Sequence, residues 1–203
     1  MRRGRPAGDA PPDGETLRRE ILQLLDDTTG RRNWAHSGLT VALRGLRLEE
    51  AIWEPAAGHS VWEQINHIAH WKRYIVRRVQ GTSSSTNQAW PAAGRTPAEL
   101  RKAIAGLAAL HDDLRRAVIR LSAGELTRKR RRYSHAQLLL GGAAHESYHI
   151  GQIFQTRKLY RLRRAVAQRP PQATTSGVAR YCATFNVATI PAWRWPGKVQ
   201  TIV

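Results

Sequence analysis

Four stretches of the chain repeat apolar residues at intervals of three or four positions, the spacing that places them on one face of an α-helix. The first begins near Glu15 and ends at a break over 28–30. The other three cover about residues 60–79, 96–121 and 134–164. No segment shows the alternation of apolar and polar residues that a half-buried strand requires. The pattern predicts an all-α protein, a four-helix bundle.

Two of these helices carry a strong start signal. Ser60 is followed three residues later by Glu63, and Thr96 is followed in the same way by Glu99. This is the capping-box pattern, in which both side chains accept hydrogen bonds from backbone N–H groups that the helix leaves unpaired. Pro97 has the fixed φ that suits the first helical position. We therefore expect a helix directly after each cap.

The bundle is expected to span residues 15–165. Residues 1–14 hold three prolines and three glycines, which is typical of a disordered lead-in. Residues 166–203 lose the helical period and contain four prolines and no acidic residue. This irregular tail resembles a mis-framed or readthrough extension more than a functional module, and we expect the bundle not to need it.

The charge of the chain is unusual. There are 33 basic and 15 acidic residues, a net charge of +18. Such a charge favours anionic partners. The single cysteine, Cys182, excludes an internal disulfide and a cysteine-cluster metal site. Because no apolar run reaches the ~18 residues of a membrane span and no secretory signal is recognisable, a cytoplasmic protein without membrane association is expected.

Histidines provide the candidate chemistry. His145 and His149 are four residues apart on one helix, about 40° from each other around its axis. Imidazoles so placed can bind one divalent ion at ~2.0–2.1 Å, although two half-buried histidines without a metal are the alternative. His67 can supply a third ligand if its helix packs against theirs. Three neutral imidazoles with an open coordination position are typical of a catalytic metal site.

Four neighbouring residues bear on this site. Gln152 lies on the same helical strip as the histidine pair and is a candidate to hydrogen-bond a ligand histidine. Glu63 is a second such candidate, although its first expected role is in the capping box. Gly141 and Gly142 each cost a helix roughly 1 kcal/mol relative to alanine. They therefore predict a close approach of another helix or room for a ligand.

The segment from His145 to His149 also spells H-E-x-x-H, the motif of zinc proteases. Such an enzyme takes its third metal ligand from a downstream residue. After Glu146 the chain contains no aspartate or glutamate, and after His149 it contains no histidine. The protease interpretation is therefore rejected.

These motifs resemble the DinB-like superfamily of helical bundles, which includes YfiT-type proteins. The resemblance rests on Ser60–Lys72 and on Gly142–Ile153, the second with the pattern H-x-x-x-H-x-G-Q-I. Asn33–His36 and the segment up to Pro55 are similar to the first helix region of the family and its connection. The resemblance covers about residues 15–165.

The resemblance implies a four-helix bundle with a divalent metal, nickel or zinc, on His67, His145 and His149. It also implies a metal-dependent enzyme, such as a small-thiol-dependent S-transferase or isomerase or a hydrolase-like enzyme, and a homodimer. It identifies no catalytic residue beyond the ligands. Ala35 separates Trp34 from His36, whereas relatives often have these two residue types adjacent, so no role is assigned to His36.

Two other interpretations remain. Arg128–Tyr133 is a basic stretch that ends in an aromatic residue and could bind nucleic-acid phosphates, although a solvated connection between helices explains it equally and no DNA-binding motif accompanies it. A non-catalytic metal-holding or stress protein is the other. In the enzyme interpretation, Arg73, Arg77 and Arg130–Arg132 are candidates to bind an anionic substrate.

Overall fold

The computed structural model describes residues 13–30, 37–82, 90–130 and 132–168. The elements in chain order are α1 (Gly14–Thr29), α2 (Leu39–Ala42), α3 (Leu48–Ala51), α4 (Val61–Val79), α5 (Pro97–Ile119), α6 (Ala123–Thr127), β1 (Lys129–Arg130), β2 (Tyr133–Ser134) and α7 (His135–Ala167). The long helices α1, α4, α5 and α7 are the four that the apolar pattern predicts, and the all-α bundle is confirmed.

Both predicted capping boxes are present. Ser60 Oγ accepts a hydrogen bond from Glu63 N, and Glu63 Oε2 accepts one from Ser60 N at 2.9 Å. Thr96 and Glu99 pair in the same way at the start of α5. Each box satisfies N–H groups that a helix start leaves unpaired.

The expected polar connection over residues 122–132 is more structured than predicted. Ser122 and Glu125 form a third capping box, which opens the short helix α6. A two-residue antiparallel ladder between β1 and β2 then pairs Lys129 with Ser134. The sequence contained the S-x-x-E signal of the box, but the segment lacks the apolar periodicity that longer helices show.

The predicted element ends shift by one to three residues. Gly14, assigned to the lead-in, is the first residue of α1, and Val166 and Ala167, assigned to the tail, continue α7. The remaining residues of the two expected extensions, 1–12 and 169–203, lie outside the described part of the chain. Of the described helices, none combines the length and apolarity that crossing a bilayer requires.

α4 and α7 run antiparallel, as their shared apolar clusters show. In one cluster the C-terminal half of α4 packs with the N-terminal half of α7, and in the other the N-terminal half of α4 packs with the middle of α7. Ile75 and Val79 of α4 share the first cluster with Leu139 of α7. Ile65 and Ile68 of α4 share the second cluster with Ile150 and Ile153 of α7. Burial of each such side chain stabilises the fold by about 1.5–3 kcal/mol. The polar residues at 67, 145 and 149 fall between the clusters.

One of the two consecutive glycines, Gly141 and Gly142, is explained by the packing of α7. A Cβ on Gly142 would overlap Ile75 Cδ1 of α4, whereas a Cβ on Gly141 would meet no described atom within 4 Å. The predicted close approach is therefore confirmed at Gly142, where a Cβ would require the terminal methyl of Ile75 to move. At Gly141 the packing gives no reason for glycine.

The described end of the connection between α4 and α5, residues 90–96, lies beside α4. Leu107 packs with the N-terminal half of α4 and Val118 with its C-terminal half, so the two helices run in the same direction. The chain must therefore travel back before α5 begins. The Asn66 side chain donates hydrogen bonds to Ala92 O at 2.7 Å and to Pro91 O at 3.3 Å, which fixes the end of this connection beside α4.

Candidate metal centre

Three imidazoles converge between α4 and α7. His145 Nε2 lies 3.1 Å from His67 Nε2 and 3.1 Å from His149 Nε2. One ring nitrogen from each of the three lies within 4.8 Å of the others. His67 and His149 are buried and His145 is half-buried. The helix packing thus brings together the three histidines that the sequence singles out.

The arrangement fits a divalent cation better than hydrogen bonds among the rings. A neutral imidazole has one N–H, so His145 Nε2 cannot donate to both of its histidine neighbours. Ligand nitrogens at ~2.0–2.1 Å from a tetrahedral ion lie about 3.3 Å apart, close to the spacing found here. Imidazole nitrogen is a donor that suits zinc, nickel, copper and iron. The three histidines therefore form a compatible metal site.

Gln152 orients one of these rings. His149 Nδ1 lies 2.7 Å from Gln152 Oε1, and Gln152 Nε2 donates to the Tyr148 hydroxyl at 2.9 Å. With the amide oriented in this way, His149 carries its proton on Nδ1 and directs the lone pair of Nε2 toward His145. Such a hydrogen bond fixes the tautomer and the ring plane of a ligand histidine.

The site keeps its histidines neutral. Burial, with a smaller contribution from the neighbouring His67 imidazole, lowers the pKa of His145 to about 4. Burial is also the main cause that lowers the pKa of His149 to about 4, with contributions from His145 and His67. At neutral pH both rings are in the uncharged form that coordinates a metal.

Aromatic rings surround the three histidines. Trp90 stacks on His67 with ring centroids 4.0 Å apart and on His59 with centroids 3.5 Å apart. Trp71 lies 5.4 Å from the ring of His145, and Tyr148 lies 5.1 Å from that of His149. The rings shield most of the site from water. Tyr148 is 63% exposed, so one side remains open to solutes.

The family model that describes the DinB superfamily matches residues 14–153. The chain belongs to the DinB superfamily. The match runs from α1 into α7 and includes all three histidines of the cluster. No curated protein and no solved structure matches the chain. Asn33–His36, part of the resemblance, lies outside the described residues.

Within this DinB fold, Glu63 has the capping role. Its Oε2 accepts hydrogen bonds from Ser60 N and from Ser60 Oγ, both at 2.9 Å. The same oxygen lies 3.8 Å from His59 Nδ1. Of the two candidates for hydrogen-bonding a ligand histidine, the structure therefore places Gln152 against one of the three rings.

His70 does not belong to the cluster. Its ring meets Trp71 edge-on with centroids 6.1 Å apart, and burial together with the charge of Arg73 lowers its pKa. The Nε2 atom of His70 and the Nε1 atom of Trp71 are buried without a hydrogen-bond partner among the residues that the structure describes.

Glu146, the central residue of the H-E-x-x-H motif, is committed to a buried ion pair. Lys72 Nζ lies 2.7 Å from Glu146 Oε2, and Thr29 Oγ1 donates to Glu146 Oε1 at 3.0 Å. A carboxylate held in this way does not serve as the general base of a zinc protease. Sequence reasoning missed the pair, although Lys72 falls in the apolar stripe of α4 between Ile68 and Ile75.

Two of the arginines proposed for substrate binding lie away from the histidines. Arg77 is ten residues after His67 on α4, about 15 Å of helix rise. Arg132 precedes α7 and lies over the ring of Tyr133, 5.4 Å from its centroid.

Trp90 and His59 were not predicted as site residues. Trp90 lies in a loop without periodicity, and His59 lies before a helix cap.

Proposed function

We propose that this DinB superfamily protein is a metal-dependent enzyme that binds one nickel or zinc ion through His67, His145 and His149. We further propose that it uses a small thiol in an S-transfer or isomerisation reaction. The convergence of three Nε2 atoms from two helices is the observation that carries the proposal. The absence of any carboxylate from this donor set favours the metals that imidazole prefers.

His67, His145 and His149 would hold the ion, which would supply the Lewis acidity that lowers the pKa of a thiol. The residues of the chain have two other tasks. Gln152 holds the ring of His149 in the orientation that a ligand needs. Trp71 and Trp90 exclude water, which strengthens electrostatic interactions inside the site.

The proposed chemistry balances without a further co-reactant. The thiol releases its S–H proton to solvent, a carbon–sulfur bond forms at the electrophile, and any leaving group departs with the bonding electron pair. In an isomerisation the same thiol adds and is later expelled. The single cysteine, Cys182, lies in the tail beyond the bundle, so we expect the thiol to come from solution.

Metal analysis of protein purified without chelator tests the site. We expect about one divalent ion per chain, the stoichiometry of a single three-ligand site. His67→Ala, His145→Ala and His149→Ala should each lose most of the metal because the site has no spare ligand. His70→Ala is the matched control on α4 and should retain it. Full retention in His67→Ala would contradict the proposed ligand set.

Turnover assays test the reaction. Metal-loaded and metal-stripped protein are compared with a panel of small bacterial thiols and electrophilic acceptors. We expect turnover only in the metal-loaded protein, and none in His145→Ala. Turnover that survives removal of the metal would reject the mechanism. Salt-sensitive DNA binding without thiol turnover would instead favour a nucleic-acid-binding protein.

A further inference from the structure

A second concave feature lies between the C-terminal half of α7 and the turn that follows α2. It is a groove of about 680 Å³, and its lining residues on α7 recur at intervals of three and four, which places them on one helix face. Lys158, one of them, is nine residues after His149, about 180° around the helix. The groove is therefore separate from the candidate metal centre.

Part of this groove is apolar and open to solvent. Phe154 is 37% exposed and Leu162 is 53% exposed, and Val41 of α2 faces them across the groove. Leaving large apolar side chains in water forfeits the free energy that their burial would provide, roughly 25 cal/mol per Å². A ligand with a hydrocarbon portion would recover part of it.

The other part of the groove is cationic and only partly neutralised. Arg157 is buried and donates to both carboxylate oxygens of Glu50, at 2.9 and 3.1 Å. Arg161 lies 3.4 Å from the same carboxylate with a mostly exposed side chain. Arg44 and Lys158 form no ion pair with any acidic residue that the structure describes. Four cationic side chains therefore line the groove, and two of them share the Glu50 carboxylate.

We propose that this groove binds a small amphipathic organic anion. Its hydrocarbon portion would cover Phe154 and Leu162, and its carboxylate would lie beside Arg44 and Lys158. The volume falls within the ~300–1,000 Å³ of small-molecule sites. Charge disfavours two other occupants: a second copy of the chain carries +18, and residues 169–203 contain no acidic residue.

Isothermal titration calorimetry with three probes tests the ligand class. Decanoate supplies the chain and the carboxylate, acetate only the carboxylate, and decyltrimethylammonium the same chain with a positive charge. We expect one decanoate per chain, at least tenfold weaker binding of acetate, and no saturable binding of the cation. Equal affinity for decanoate and decyltrimethylammonium, or no decanoate binding at millimolar concentration, would overturn the proposal.

Matched charge reversals locate the binding. Lys158→Glu should weaken decanoate binding at least tenfold, whereas Lys102→Glu, an exposed change of the same net charge on α5, should leave it unchanged. Thermal melts check that both variants fold. His67→Ala should bind decanoate like the unmodified protein, which separates this site from carboxylate binding at the histidines. Equal decanoate affinity in the two lysine variants would refute the location.

Discussion

Lys72 Nζ lies 2.7 Å from Glu146 Oε2, and the two residues are only 3% and 4% exposed. Lys72 also donates to Thr29 Oγ1 at 3.1 Å, and the Thr29 hydroxyl donates to Glu146. The network joins α1, α4 and α7 directly beside His145. Because each buried charge depends on its partner, the network ties the position of the metal centre to the packing of three helices.

Breaking this ion pair should destabilise the bundle. Lys72→Met or Glu146→Leu leaves one buried charge without its partner, and each should lower the free energy of unfolding by about 3–5 kcal/mol. Urea unfolding of the metal-free protein measures this. In the double variant the free energy of unfolding should fall by less than the sum of the two single decreases, since no charge remains unpaired. Additive losses would show that the two charges are not coupled.

The two consecutive glycines of α7, Gly141 and Gly142, should respond differently to alanine. Gly141→Ala should stabilise the protein by up to about 1 kcal/mol, since alanine is the better helix former and the added methyl meets no described atom. Gly142→Ala should stabilise the protein less than Gly141→Ala does, because its methyl requires Ile75 Cδ1 to move. Ile75→Val removes the overlapping atom and should reduce the penalty. Equal unfolding midpoints for the two alanine variants would contradict the close approach.

Removing the Gln152 amide should weaken the metal site without removing a ligand. Gln152→Ala frees the ring of His149, and loss of such an orienting group typically costs 10–100-fold in metal affinity. Competition with a chromophoric chelator measures the affinity. Gln155→Ala, the same change at an exposed position of α7, is the control. An unchanged affinity in Gln152→Ala would show that the observed hydrogen bond does not influence the site.

The metal-free protein should lose stability as the pH falls. The pKa values of His145 and His149 are about 4 in the folded chain and near 6.5 in the unfolded chain. The unfolded state therefore binds protons first, and the free energy of unfolding decreases as the pH falls from about 6.5 to about 4. Urea unfolding across this range should show a shallower dependence in a His145→Gln/His149→Gln variant. Identical slopes would contradict the lowered pKa values.

The bundle should not need the tail. The family match ends at residue 153 and α7 ends at Ala167, so deleting residues 169–203 leaves every helix of the described residues intact. We expect nearly unchanged metal content and a nearly unchanged melting temperature. A large fall in melting temperature would show that the tail packs on the bundle, with Trp193 and Trp195 among the side chains able to bury a large area.

Several features of this protein could be predicted because they depend on residues close together in the chain. Hydrogen bonds within three residues create the capping boxes at Ser60 and Thr96, and a 3.6-residue period places His145 and His149 on one strip. The family-specific pattern added His67. The sequence therefore determined the four long helices, the fold class and the candidate ligand set.

Only the tertiary structure decided which side chains meet across helices. His67 and His145 are 78 positions apart, and their contact depends on how α4 and α7 pack and on how far each is displaced along the other. That packing excludes His70 from the cluster and brings Trp90 from an aperiodic loop onto His67. No local pattern encodes such contacts, because they result from the packing of whole helices.

The buried ion pair depends both on features that the sequence shows and on contacts that only the helix packing determines. Lys72 stands between Ile68 and Ile75 in the apolar stripe of α4, and Glu146 stands among Ala143 and the isoleucines of α7. A charged residue in an apolar stripe indicates burial, and burial of a charge requires a partner. The sequence thus contained both halves of the pair. Only the antiparallel packing of α4 on α7 determined that they are each other's partners, since it fixes which positions of the two helices face one another.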